Sequence, residues 1–255
     1  MKRIRVIPVL LMRERGLVKS IRFSNYKYVG DPINAVRIFN EKEVDELAIL
    51  DINASAGNQG PDIVLIESIV SEAFMPIAYG GGIANLEQAK RILSIGVEKL
   101  ILNRSAIKNP TLISEIARQY GSQSVLVSID YKKNYFGKIS VYIENGKTNA
   151  GISPLAFAKQ IEEAGAGEIL LNSIERDGSF SGYDLEMIRE VSNAIGIPLI
   201  AAGGAGSLAD FRQAALHGAS AVSAGSMFVF QRPHRAVLIS YPSINDLETY
   251  VYKGL

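Results

Sequence analysis

The chain has no cysteine. Without thiols there is no disulfide, no iron–sulfur cluster, no thiolate zinc site and no cysteine nucleophile. Histidine is scarce as well. His217 and His234 fall in helical or C-terminal surroundings, away from strand ends. That reads as a surface role for both, so no metal ion and no cofactor is expected. Neither sign of charge is in surplus: 27 Lys and Arg face 26 Asp and Glu. A net charge of +1 provides no field to recruit nucleic acid or an anionic membrane. No run approaches the roughly 20 apolar residues of a membrane span. The basic start followed by Val6–Met12 superficially resembles a leader. However, this apolar run contains Pro8 and meets Arg13, Glu14 and Arg15 at once, so it reads better as a first strand. The expectation is a soluble, cytoplasmic protein without nucleic-acid or membrane partners.

What is present is an alternation. Short apolar runs, read as strands, occupy Arg5–Leu11, Glu46–Ile52, Pro76–Tyr79, Lys99–Asn103, Ser124–Asp130, Glu168–Asn172, Pro198–Ala202 and Ala221–Ala224. They are continuous rather than alternating, as parallel strands buried on both faces should be. Amphipathic stretches such as Leu86–Ile95, Thr111–Tyr120, Pro154–Ala164 and Leu185–Ala194 lie between them. Eight strands with intervening helices in 255 residues predict one (β/α)8 barrel over residues 1–255. Residues 131–147 add a hairpin insertion, with Asn145-Gly146 as its turn signal.

The sequence also repeats at half its length. A shift of 122 positions places Pro76 on Pro198, Gly81 on Gly203, Gly82 on Gly204, Leu86 on Leu208, Gly96 on Gly218 and Glu46 on Glu168. The spacing exceeds solenoid periods and implies two similar half-barrels. A two-fold barrel of this kind should carry two related sites at opposite sides of its mouth. Gly80-Gly81-Gly82 and Gly203-Gly204 each follow a strand and precede a helix, while Asn103-Arg104-Ser105 and Gly225-Ser226 end the next strands. Glycine lets backbone N–H groups approach an anion, and a helix start favours one. A ligand with a phosphate at each end fits this pairing. Asp130 closes the fifth strand, at the rim where such barrels keep acid–base groups. Asp51 and Asp177 stand at comparable positions, although Asp177-Gly178 fits a plain turn equally well.

Several stretches together resemble one family. These are Gly30-Asp31-Pro32, Asp45-Glu46-Leu47, Tyr79-Gly80-Gly81-Gly82-Ile83, Gly121-Ser122-Gln123-Ser124, Gly165-Ala166-Gly167-Glu168-Ile169-Leu170-Leu171, Arg176-Asp177-Gly178, Gly182-Tyr183-Asp184 and Ala202-Gly203-Gly204-Ala205-Gly206. They are similar to the cyclase (HisF-type) subunit of imidazole glycerol phosphate synthase, nearly end to end except for the last twenty or so residues. The resemblance implies a glutaminase (HisH-type) partner docked at the bottom of the barrel. Ammonia from that partner would cross the interior to a bisphosphorylated ribonucleotide at the top. It implies anion-binding roles for Lys19, Gly82, Asn103, Asp177, Gly204 and Ser226. The neighbouring Gly81, Arg104, Gly178, Gly203 and Gly225 are taken with them, and Asp130 carries over as the catalytic acid. Arg5, Glu46, Lys99 and Glu168, each at a different strand start, correspond to the family's charged channel gate.

One position departs from the family. Leu11 stands where the family has a second catalytic aspartate, and leucine transfers no proton. Glu14 lies three residues on and would have to reach back into the mouth to substitute. Arg104 replaces a small hydroxyl residue. An intact gate with half the acid pair points to a relative that hands ammonia to a third enzyme, which amidates a sugar precursor of surface polysaccharide. The alternative is the histidine-pathway cyclase itself.

Overall fold

The computed structural model describes residues 3–54 and 60–255. Eight parallel strands run through it: β1 (Arg5–Arg13), β2 (Leu47–Asp51), β3 (Ile77–Gly80), β4 (Lys99–Leu102), β5 (Val125–Lys133), β6 (Glu168–Ser173), β7 (Leu199–Ala202) and β8 (Ala221–Ala224). Neighbours follow chain order, β8 pairs with β1, and β5 pairs with β6 from Leu126↔Glu168 to Tyr131↔Ser173. The sheet therefore closes on itself as a (β/α)8 barrel, the fold the alternation predicts.

Side chains alternate across a strand, and here both faces are apolar. One set, including Ile7, Ala48, Ala78, Ile101, Leu126, Leu170 and Ile200, forms an inner cluster with Val9 and Leu50. The opposite set, including Val6, Leu10, Ile49, Tyr79, Leu100, Val127 and Leu171, packs in the larger core with the helices. Between the two ends of the barrel both faces are packed against apolar side chains, which is why the strand runs show little polar alternation. The helices present apolar stripes to that outer core, for example Ala35, Val36 and Phe39 of helix Pro32–Glu41. Their starts are capped by Asp31, Asn85, Ser153 and Asp184, whose side chains accept from backbone N–H groups three residues on. Ser207 and Asp210 form a capping box. Each such cap contributes about 1 kcal/mol. No helix among the described residues is long and apolar enough to cross a membrane.

Two antiparallel additions rise from the top rim. β1 runs past Leu11 to Arg13, turns at Glu14 and Arg15 with φ of 53° and 62°, and pairs with Gly16–Ile21, which pairs with Ser24–Gly30. β5 likewise runs three residues past Asp130 and pairs with Ile139–Ile143. The insertion expected over 131–147 is therefore a three-strand meander. Asn145 and Gly146, with φ of 56° and 73°, make its second turn, before Thr148–Asn149.

Candidate functional site

The strand ends converge on an open cavity of about 520 Å³, within the usual range for a small-molecule site. Its floor is apolar (Val9, Leu50, Ile101, Leu170) and its wall is polar. Asp130 stands in that wall. Its Oδ1 accepts from Asn172 Nδ2 at 2.9 Å and Ser128 Oγ at 3.3 Å, and its Oδ2 accepts from Asn103 Nδ2 at 3.3 Å. These neutral donors hold the carboxyl without supplying a counter-charge. Burial therefore dominates and pushes its pKa from 3.8 to about 6, against the opposing hydrogen bonds from Asn172 and Ser128. A carboxyl so placed can exchange a proton near neutral pH.

Lys19 is 3% exposed and lines the same cavity, reached through the strand that pairs with the extension of β1. Its Nζ donates to the carbonyl of Val9. Burial lowers its pKa to about 8, with the charge of Asp177 working the other way. Asp177 is raised by its own burial, opposed by Lys19 and by a bond from Ser20 Oγ at 3.3 Å. A Cβ at Gly225 would lie 2.6 Å from the Lys19 Nζ, so a side chain there would displace the ammonium from its present place.

The repeated glycines have a structural cause besides any ligand. At φ +128°, Gly81 passes so close to β2 that a Cβ would sit 2.4 Å from the Asp51 carbonyl. At φ +79°, Gly203 would bring one to 2.5 Å from the Ser173 carbonyl. Gly81, Gly82, Asn103, Arg104, Gly203, Gly225 and Ser226 all line the cavity, whereas Gly178 and Gly204 lie outside its lining. Short helices at Arg104–Lys108 and Ser226–Val229 begin there. First-turn N–H groups have no intrahelical acceptor, so each half of the mouth carries donors. A smaller recess of about 340 Å³ adjoins the first half, between Gly82, Ser105 and Lys108.

At the opposite end of the barrel, Arg5, Glu46, Lys99 and Glu168 meet as a closed ring. Arg5 pairs with both Glu46 and Glu168. Lys99 Nζ lies 2.9 Å from Glu46 and 3.0 Å from Glu168. The carboxylates are almost fully buried, at 3% and 5% exposure. Burial works against the charge on Arg5, but Glu168 and Glu46 outweigh it and raise its pKa. Two cations thus match two anions, as desolvated charges require.

The family described as histidine biosynthesis protein matches residues 5–233. Over 252 residues the chain is 54% identical to the "Putative imidazole glycerol phosphate synthase subunit hisF2" of Pseudomonas aeruginosa, covering 97% of this chain and 99% of that one. It is 53% identical over 250 residues to the "Putative imidazole glycerol phosphate synthase subunit HisF" of Leptospira interrogans, covering 97% and 98%. Identity to the "Imidazole glycerol phosphate synthase subunit HisF" of Alkaliphilus metalliredigens is 40% over 225 residues, covering 88% and 89%. The chain belongs to the HisF family.

In this HisF-type chain Leu11 lines the same cavity as Asp130, on the inward-facing side of β1. Glu14 does not replace it. Glu14 is exposed at the tip of the hairpin, beside Arg13 at 3.4 Å, and outside the cavity lining. Arg104 Nε lies 3.3 Å from Glu144 Oε1 in the meander, so an ion pair crosses the rim between β4 and the β5 insertion. Asp51 accepts from the backbone of Asn53 and Ala54 and caps its own loop. His217 ends a helix and His234 sits in the turn after Arg232-Pro233. Among the described residues no cluster of three or more His, Cys, Asp or Glu could hold a metal ion. The site residues that sequence reasoning missed are Ser128, Asn172 and Ser20. A signal for one of them existed, because the half-chain shift places Asn172 on Leu50, an amide where the other half-barrel has an apolar side chain.

Proposed function

We propose that this HisF-type subunit receives ammonia at the Arg5/Glu46/Lys99/Glu168 ring from a docked glutaminase (HisH-type) partner and passes it up the apolar interior. The nitrogen is released at the mouth for amidation of a sugar precursor of surface polysaccharide, the acetamidino-forming step being carried out by a third enzyme. The observation that carries this reading is Leu11 in the wall that holds Asp130. A neutral nitrogen can cross an apolar bore that would strip water from an ammonium ion at prohibitive cost. The inner row from Ile7 to Leu170 provides that surroundings above a charge-balanced entrance. At the exit, Asp130 can relay one proton, but the inward position at the end of β1 is Leu11, and the other aspartates lining the cavity are engaged elsewhere, Asp51 by the backbone of its own loop and Asp177 by Ser20 and Lys19. Cyclisation needs both addition and elimination steps.

The anion positions (Gly81, Gly82, Asn103 and Arg104 on one side; Lys19, Asp177, Gly178, Gly203, Gly204, Gly225 and Ser226 on the other) would take a ligand with two phosphate-type groups. Arg104 adds a formal charge to the first of these. Arg104→Thr should lower affinity for a bisphosphorylated ribonucleotide about tenfold by titration calorimetry. It should change stability by less than about 1 kcal/mol, because its pair with Glu144 is half-exposed. Tighter binding in the variant would mean that Arg104 obstructs the site.

The names of the relatives favour a second reading, the cyclase of imidazole glycerol phosphate synthase itself. The two separate on one substitution. Leu11→Asp should raise ammonium-dependent cyclisation at least about 100-fold if a missing acid is the defect. Wild-type turnover at ordinary cyclase rates with ammonium salts, together with rescue of a histidine auxotroph, would overturn the amidation reading.

A further inference from the structure

The β5 insertion carries a feature the mouth does not use. Between Lys133 and Ile139 the chain turns through Asn134, Tyr135, Phe136, Gly137 and Lys138. Tyr135 is 97% exposed and Phe136 is 89% exposed. Their rings meet edge to face at 5.6 Å and 88°. The turn beneath them is well tied. Asn134 Oδ1 accepts from Phe136 N at 3.0 Å and Lys138 N at 2.9 Å, and Asn134 N donates to the Lys138 carbonyl at 2.8 Å. Gly137, at φ +77°, completes it. Two large rings are thus displayed on a fixed mount, so little ordering entropy remains to be lost on binding. Aromatic residues of this kind are the usual anchors of protein interfaces, and each buries roughly 150–250 Å² when covered.

Position and charge narrow the occupant. The tip lies four to eight residues beyond Asp130 on a strand–turn that climbs away from the rim, while the barrel's charged ring is at the other end. At about 3.3 Å per strand residue it stands above the exit side of the mouth. Lys133 and Lys138 flank the rings, both exposed, and neither has a carboxylate in ion-pair range among the described residues. Lys132 is engaged below them, donating to the Gly146 carbonyl at 2.8 Å and lying over the Tyr142 ring. An apolar groove rimmed with carboxylates matches this surface. A lipid surface is a poorer match, because anchoring by one short tip needs a wider apolar face or a polybasic cluster.

We propose that the Tyr135–Phe136 tip docks into an acidic-rimmed apolar groove on the enzyme that consumes the ammonia. The inference rests on the amidation reading above. Docking there would hold the acceptor's site over the exit, so that the nitrogen is captured before bulk water protonates it and ends its nucleophilicity.

The test reconstitutes the barrel, its glutaminase and the sugar-amidating enzyme, and compares wild type with a Tyr135→Ser/Phe136→Ser variant. Glutamine hydrolysis should be unchanged, and amidation fed by ammonium salt should be unchanged. Amidation fed by glutamine should fall at least tenfold, with Lys133→Glu/Lys138→Glu falling in the same assay. Equal glutamine-fed amidation by wild type and both variants would overturn the docking inference alone. If wild type transfers no nitrogen from glutamine, the amidation reading fails and takes this inference with it. Two further arms also overturn it: ring-dependent flotation with phosphatidylglycerol/phosphatidylcholine vesicles, or a ring-dependent self-dimer in sedimentation.

Discussion

Asp130→Asn should abolish acid–base function at the mouth and, at the same time, stabilise the protein at pH 8. The activity loss expected for removing a positioned acid–base group is about 100- to 10,000-fold. It is read as ammonium-dependent turnover, in the Leu11→Asp background if wild type is too slow to measure. The stability gain follows from the raised pKa. In the folded state Asp130 holds its proton up to about pH 6, whereas its ordinary value is 3.8. Between those values the folded chain binds more protons than the unfolded one, so this group's contribution falls as pH rises. It is fully present below about pH 4 and is lost above pH 6. A shift of two units corresponds to about 3 kcal/mol. The amide lacks the titration and can still accept from Asn172. The variant should therefore match wild type at pH 4 in denaturant titrations and exceed it by about 2–3 kcal/mol at pH 8. A constant difference across that range would mean that Asp130 is ionised in the fold like any surface carboxyl.

Glu168→Ala should be the most destabilising single change in the charged ring. It leaves Arg5 and Lys99 sharing Glu46 alone. Removing one partner from a buried ion pair costs about 3–5 kcal/mol, most of it from the charge left behind. The side chains of Arg5 and Lys99 are 34% and 19% exposed, and water can reach them, so the lower end applies. For a chain of this size, about 3 kcal/mol lowers the melting temperature by roughly 6–12 °C in scanning calorimetry. Lys99→Met with Glu168→Leu removes one charge of each sign and leaves the Arg5–Glu46 pair. That double variant should recover most of the loss. If its destabilisation equals the sum of the single variants, the four residues do not act as one ring. In the proposed function, the same double variant should leave ammonium-fed amidation intact and uncouple it from glutamine hydrolysis.

The barrel was legible because both faces of its strands are buried. Runs such as Leu47–Asp51 and Ala221–Ala224 need no polar alternation, and that pattern survives in one dimension. The half-chain shift was legible for a related reason. Gly81 and Gly203 occupy equivalent close approaches to the preceding strand, where any side chain would strike a carbonyl. Strand ends were less visible. β1 and β5 continue past the rim into hairpins, since pairing there depends on partners that lie beyond the barrel. The donors around Asp130 were hidden for another reason: Asn103, Ser128 and Asn172 come from three strands, and nothing local marks them as neighbours.

The sequence by itself determined the fold class and the repeated glycine turns of the two half-barrels, because each depends on residue type at a position along a strand. The four ring residues and the reading of Leu11 as a replaced aspartate came only with the resemblance to the family. Only the tertiary structure decided that Asp130 is held by neutral donors and burial, that Glu14 points away from the mouth, that Arg104 is bridged to Glu144, and that Lys19 lies against Gly225. Those outcomes depend on distances between segments separated by up to some two hundred residues, and on how much water is excluded between them. Burial and pairing set a charge's energy, and neither quantity exists until the cylinder has closed.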